Sequence, residues 1–446
     1  MRIVEIVKNI WKIEDLKSRI VVTFFLILVY RFLSVVTLPG IDPTSLSGLK
    51  MQTQGGLMSL LDMFSGGAFS NASIVALGIM PYISASIVIQ LFVVAIPYFQ
   101  KLQYEGESGR RKINQYTQYL TLLVLVVQAP TYLINLHRQM KSVGSDFPGG
   151  IWFTFSSIII LAAGSMFVLW LGERITDKGI GNGISFIIMI GIVARLPQAL
   201  VQEIVSRINE TSGGLVMFLL EIIILLIVIA GSILLVQGTR KIPVQYARQM
   251  VGNRQYGGVR QYLPLKVNAA NVMPIIFAQA IMFIPISLIG FGSNKMNVIS
   301  KLFIPLTNSS SFLYNFTNVV LIVIFTWLYT AITINPKQIS EDLKRNNGFI
   351  PGIKPGKKTA EYIDDVMSKL TVGGSLFLSL VAIMPAFAKM FGIQGGFSSF
   401  FGGTSLLILV GVVLDTLQQV ESHLLNRHYD GLLKSGRIKG LSSQYY

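Results

Sequence analysis

The chain has 446 residues, of which 52% are hydrophobic and only 13% charged, about half the charged content usual in soluble domains. That composition excludes a soluble multidomain protein, because many uncharged runs of about 20 residues would have to be hidden from water. The 37 Lys and Arg against 21 Asp and Glu leave a formal net charge of +16, which suits nucleic acid, an anionic membrane or an acidic partner until the charge is located. The absence of Cys excludes disulfides and thiol catalysis. Three histidines, His137, His423 and His428, are too few and too scattered for a metal site, so no metal or cofactor is expected.

Residues 1–19 alternate apolar Ile3, Val7, Ile10 and Trp11 with Lys and Glu, which predicts an amphipathic helix lying in the membrane interface. The run 20–38 is long enough to cross and ends at Pro39 and Gly40; with no small-residue cleavage site after it, it reads as a retained span. Further apolar runs lie at about 73–96, 116–136, 151–172, 183–197, 214–237, 269–292, 313–335, 370–388 and 403–421, for ten spans in all. An apolar stretch at 55–67 is too short to cross, and the fifth span opens in the glycine-rich GIGNG at 179–183. Interrupted segments of this kind point to a functional path at membrane depth.

An even number of spans puts both termini on one side. Of the 37 basic residues, 28 lie in the N-terminal segment, 97–115, 173–178, 239–268, 336–369 and the C-terminal segment, against eight on the other side. Basic loops stay inside, so both termini are expected in the cytoplasm. Five spans (20–197), an external connection (198–213), five more spans (214–421) and a cytoplasmic tail (422–446) predict an all-α protein of two inverted halves.

Chemistry alone leaves the motifs ambiguous. The segment 64–92 carries no charge but holds Ser70, Asn71, Ser73, Ser84, Ser86 and Gln90, which suit either close helix packing or a polar path. Ile79 and Ile83 share one helical face, and Ile184 and Ile188 repeat the spacing. Stiff β-branched side chains converging on one point would make a hydrophobic constriction, but the spacing does not show convergence. Arg31 and Asp415 lie in or near spans and read as side chains reaching toward water at the two interfaces. GIKPGKKT at 352–359 has only three residues between its glycines and lacks a GK[ST] ending, so it reads as a basic turn; GIGNG lacks the βαβ context of a dinucleotide site.

Six strings together carry a resemblance. MFSGGAFSNASIVALGIMPYISASIVIQL (63–91), EGESGRRKINQYT (105–117), WLGERITDKGIGNGISFII (170–188), LPLKVNAANVMPIIFA (263–278), GFIPGIKPGKKTAEYIDDVM (348–367) and FGGTSLLILVGVVLD (401–415) resemble, in order and spacing, segments of the bacterial SecY family of protein-conducting channels. The resemblance runs from about residue 18 to the C-terminus and implies ten helices around a central pore in the bacterial cytoplasmic membrane.

It also implies roles. A pore ring falls on Ile79, Ile83, Ile184, Ile188, Ile276 and Ile408. A plug helix at about 57–67 includes Leu57, Leu60, Leu61, Met63 and Phe64, with Gly55, Gly56, Gly66 and Gly67 expected to let it swing away. The second and seventh spans become the lips of a lateral gate, with Ser84, Gln90 and Asn268 as its polar residues. The loops carrying Arg240, Lys241, Arg248, Arg254, Arg260 and Lys266, and Lys344, Arg345, Lys354, Lys357 and Lys358, would dock the ribosome or the SecA motor. Lys354 stands where the family usually has arginine, keeping the charge but losing the planar fork. The implied partners are SecE, SecG, SecA, the ribosome, signal-bearing polypeptides and lipid. A small-solute transporter shares this gross architecture, but six isoleucines offer a hydrophilic solute nothing to bind. An intramembrane enzyme would need a catalytic dyad or metal cluster that the sequence does not offer.

Overall fold

A computed structural model of the chain describes residues 13–42, 46, 62–142, 150–209, 214–246, 249–251, 254–256, 260–291, 311–393 and 395–434. The N-terminal residues 1–12, the plug residues Leu57, Leu60 and Leu61, and Arg248 lie outside them. Each expected span holds a helix: α1 Glu14–Leu33, α2 Met80–Ala95, α3 Glu107–Ser142, α4 Ile151–Lys178, α5 Gly183–Asn209, α6 Gly214–Gln237, α7 Met273–Phe291, α8 Phe312–Thr333, α9 Lys357–Met390 and α10 Gly403–Lys434. Among the described residues seven of these are long and apolar enough to cross a membrane by themselves, and α2 with the following helix makes an eighth, sharply bent.

Several boundaries differ from the hydropathy runs, for identifiable reasons. Residues 73–79 are a chain of turns, so α2 starts only at Met80. Ile96 is extended (ψ 118°), as expected before proline, and the helix Pro97–Tyr104 departs from α2 at 98°. Residues 14–19, assigned to the interfacial helix, are continuous with α1. α5 runs through Pro197 to Asn209, absorbing most of the expected external connection; neighbouring groups in a bundle commonly compensate an internal proline.

The pairings between helices repeat. In the first half α1 packs on α4 and α5, α2 on α3, α3 on α4, and α4 on α5. Adding five to every number gives pairings found in the second half: α6 on α9 and α10, α7 on α8, α8 on α9, and α9 on α10. An odd number of helices per unit makes the second copy run opposite to the first. The halves join at α5, which packs on α6 and α10, and meet again where α7 packs on α2 and α3. α6 shows Val216, Leu219, Leu226 and Ile227 to the outside, the surface expected of a lipid-facing helix.

The expectation of an all-helical chain holds for the bundle and fails for the basic loops. β1 (Thr239–Tyr246) and β4 (Arg260–Lys266) form an antiparallel hairpin, with β2 (Gln249–Val251) and β3 (Arg254–Tyr256) pairing near its tip. β5 (Gly348–Phe349) adds to the other edge of β1, giving the order β4-β1-β5. Alternation drives it: Ile242 and Val244 point inward while Lys241 and Pro243 point out. Those inward residues join Leu265, Leu343, Ile350, Ile363 and Met367 in a small separate core. Charge density hides this short alternation from a hydropathy reading.

Candidate functional site: a sealed pore and its gate

The six isoleucines come from four helices of both halves and meet in one hydrophobic cluster. Ile79, Ile83, Ile188 and Ile408 are buried members, and Ile184 and Ile276 pack against the cluster. Ile79 and Ile83 sit at the start of α2, Ile184 and Ile188 on the first turns of α5, Ile276 on α7 and Ile408 on α10. The same cluster contains Met63 and Phe64 from the plug segment. The cluster draws apolar groups from both halves together, and such groups offer ions and water no hydrogen bond.

Close backbone contact sets the position of α5. A Cβ at Gly183 would lie 1.9 Å from the Gly172 carbonyl oxygen, and one at Gly172 would lie 3.0 Å from Ile184 Cγ1. The preceding turn is tied down as well: Gly183 N donates to Thr176 Oγ1 (2.9 Å) and Gly181 N to Gln419 Oε1 of α10 (2.9 Å). The GIGNG motif is therefore a helix entry that carries Ile184 and Ile188 to the shared hydrophobic cluster.

The plug segment from Asp62 onward forms a short helical turn followed by tight turns, buried almost throughout. Asp62 forms an ion pair with Arg195 of α5. Arg195 also donates to Ser70 Oγ (2.6 Å), whose backbone N–H donates to Asp62 Oδ1 (2.8 Å). Arg31 is not an arginine reaching for the interface: it is half-buried and donates to the Gly66 carbonyl (2.9 Å). Asp415 keeps the expected exposed setting, where it accepts from Gln419 at 3.4 Å. Sequence reasoning missed Arg195 and Asp62, although the signal was present: two opposite charges in otherwise apolar surroundings rarely stay unpaired at membrane depth.

At the expected gate, α2 and α7 are in contact. The three polar gate residues bond locally and not to one another. Ser84 donates to Met80 O (3.1 Å), Gln90 to Ser86 Oγ (3.3 Å), and Asn268, which is buried, to Asn271 O (3.0 Å). Asn268 thereby shapes the turn that leads into α7.

The two basic loops, separate in sequence, form one body through the β1–β5 pairing and the shared core. Arg240, Lys241, Arg260, Lys266, Lys344, Arg345, Lys354, Lys357 and Lys358 are all exposed on it; Arg254 is on β3. Ser340 donates to Gly356 O (2.7 Å), which holds the 351–356 turns against the helix 336–345, and Thr359 of α9 donates to Lys354 O (3.0 Å). Lys344 and Lys357 also line a cavity of about 1020 Å³ shared with Val93 and Val94 of α2 and with Tyr104. The basic body thus adjoins the C-terminal end of α2.

A third polar cluster lies where the halves join. Arg207 of α5 donates to Glu203 (3.0 Å), to Glu221 of α6 (2.6 Å) and to the Gly392 carbonyl after α9 (3.1 Å), all three side chains being buried.

Two five-helix units of repeated arrangement, sharing one apolar cluster, define a polytopic helical membrane protein. Comparison with known proteins gives the family. The SecY family model matches residues 73–417. A protein translocase subunit SecY of Aquifex aeolicus is 39% identical over 434 residues, covering 96% of this chain and 99% of that protein. The chain belongs to the SecY family. Solved structures share the fold: one described as a protein conducting channel has a TM-score of 0.59 at 18% identity, covering 96% of this chain and 95% of that one. The Sec61 channel of the canine ribosome–channel complex has a TM-score of 0.58 at 17% identity, with the same coverage. These relatives do not support the solute-transporter reading.

Proposed function

We propose that this chain is the protein-conducting subunit of a bacterial Sec translocase, passing unfolded polypeptides across the cytoplasmic membrane and releasing signal sequences and membrane helices sideways into lipid. One observation carries the reading: six isoleucines from α2, α5, α7 and α10 gather with Met63 and Phe64 in one cluster between the halves. Such a ring fits around a moving chain and shuts against ions when the chain leaves. Residues 57–67 act as the plug, and α2 and α7 part to open the gate. With the basic loops inside and both termini cytoplasmic, the loops carrying Arg240, Lys241, Arg248, Arg254, Arg260, Lys344, Arg345, Lys354 and Lys357 dock the ribosome through rRNA phosphates or SecA through acidic side chains. SecE and SecG complete the complex.

The chain has no cysteine, so single cysteines introduced at Ile83 and Ile408 give an unambiguous test. Both crosslink to a polypeptide stalled in transit, whereas a cysteine at lipid-facing Leu226 does not. If Ile83→Cys and Ile408→Cys fail to crosslink while Leu226→Cys succeeds, the pore assignment is wrong.

A further inference from the structure

The segment 62–70 is held in two different ways. Its apolar side chains Met63, Phe64 and Ala68 share a core with residues of both halves, including Ile188 of α5 and Ile408 of α10. Contacts of that kind are non-directional and re-form after sliding. Its polar contacts are directional, and among the described residues those reaching beyond the neighbouring chain all come from the N-terminal half. Tyr30 of α1 donates to Ser65 O (3.0 Å), Arg31 of α1 to Gly66 O (2.9 Å) and Tyr132 of α3 to Phe69 O (2.9 Å). Arg195 of α5 pairs with Asp62 and donates to Ser70 Oγ (2.6 Å).

The glycine pair sits inside this grip. Gly66 and Gly67 have φ of +63° and +92°, which favours glycine, and both lie close against neighbouring groups. A Cβ on Gly66 would be 2.6 Å from Arg31 Nη1 and 2.8 Å from Gly191 Cα of α5, and one on Gly67 would be 3.0 Å from Arg195 Nη2. The turn is packed directly against α5 and clasped by two guanidinium groups.

We propose that Arg195 and Asp62, backed by Arg31, form a charged latch that fixes the C-terminal end of the plug to the N-terminal half, so that Gly66–Gly67 is an anchor and not a hinge. The proposal rests on the channel reading above and adds positioning residues to it. When the halves part at α2 and α7, the latched end travels with α1, α3 and α5 and withdraws from α10. Movement of the plug relative to the N-terminal half requires the ion pair to break first. Asp62 is nearly inaccessible and Arg195 only a quarter exposed, so losing one partner leaves the other as an uncompensated charge, the costly case, while losing both charges together does not.

The test uses the full chain with its partner subunits in sealed vesicles, in an otherwise cysteine-free background. Ala68, fully buried, is replaced by Cys and probed with a membrane-impermeant maleimide from the outer side, while resting ion leak is read in parallel. Asp62→Asn and Arg195→Gln each raise maleimide labelling and leak by at least about tenfold, and the double variant lies closer to wild type than either single variant. Unchanged labelling in both single variants, or effects that simply multiply in the double variant, overturns the latch. Raised labelling without leak upholds the latch and overturns the reading of this segment as the plug of a channel.

Discussion

Replacing Gly183 by Ala probes how rigidly the pore ring is set. The added methyl carbon would sit 1.9 Å from the Gly172 carbonyl oxygen and 2.7 Å from Ile175 Cβ, so α4 and α5 must separate by about 1.5 Å to reach the 3.4 Å of ordinary contact. Both obstructing groups are backbone or the first side-chain atom, so no rotamer change relieves them. Overpacking of this kind costs about 1–3 kcal/mol. The displacement is delivered to the residue next to Ile184 and within five of Ile188. Thermal unfolding of the purified variant in detergent is expected to fall by several degrees, and vesicles bearing it are expected to leak ions at rest. Gly373→Ala in α9 is the matched control, because a Cβ there meets nothing within 4 Å; it should seal normally and gain a few tenths to 1 kcal/mol of helix stability. If Gly183→Ala unfolds and seals like wild type while the control behaves as expected, the argument that the Gly172–Gly183 contact sets the ring is refuted.

Two further outcomes follow from the polar clusters. Arg207→Met leaves Glu203 and Glu221 buried without their shared guanidinium; a loss of about 3–5 kcal/mol is expected in chemical unfolding, and Glu221→Gln, which keeps the Arg207–Glu203 pair, should cost less. Reversing charge at Arg240 and Lys241, both exposed on β1, should weaken ribosome binding and flatten its dependence on salt by about one unit of log–log slope for each rRNA phosphate no longer neutralised; an unchanged slope would remove these two residues from the proposed docking surface.

What was legible in the sequence depended on the range of the forces involved. Spans show in a linear reading because each is a continuous run that must satisfy the bilayer by itself. The predicted runs accordingly coincide with helices, although α2, α5 and α9 begin or end several residues from the expected places. Those ends are set by the turns at 73–79, by the Arg207 cluster and by the small separate core around Ile363, which the hydropathy of a window does not contain.

The site divides in the same way. Types and rough positions of the isoleucines, the glycine-rich plug segment and the basic loops could be read from local strings and family resemblance. Convergence could not, because Ile79 and Ile408 lie more than 300 residues apart and only the repeated packing of the two halves brings them into one cluster. The merger of the 239–268 and 336–369 loops rests on strand pairing between Gln245 and Phe349 and between Tyr246 and Gly348, a long-range register invisible to composition.

By itself, then, the sequence determined a many-span membrane protein with a basic face and an apolar interior, since hydropathy and charge act residue by residue against the solvent. Tertiary structure alone decided the partners of each charge. Arg31, read as a side chain reaching for water, turned inward to Gly66, and Arg195, one of the eight basic residues counted on the outer side, became the counter-ion of Asp62. A charge buried at membrane depth takes whichever opposite group the fold brings within reach, and that neighbour, 133 positions away along the chain, is set by how α1, α5 and the plug segment pack together.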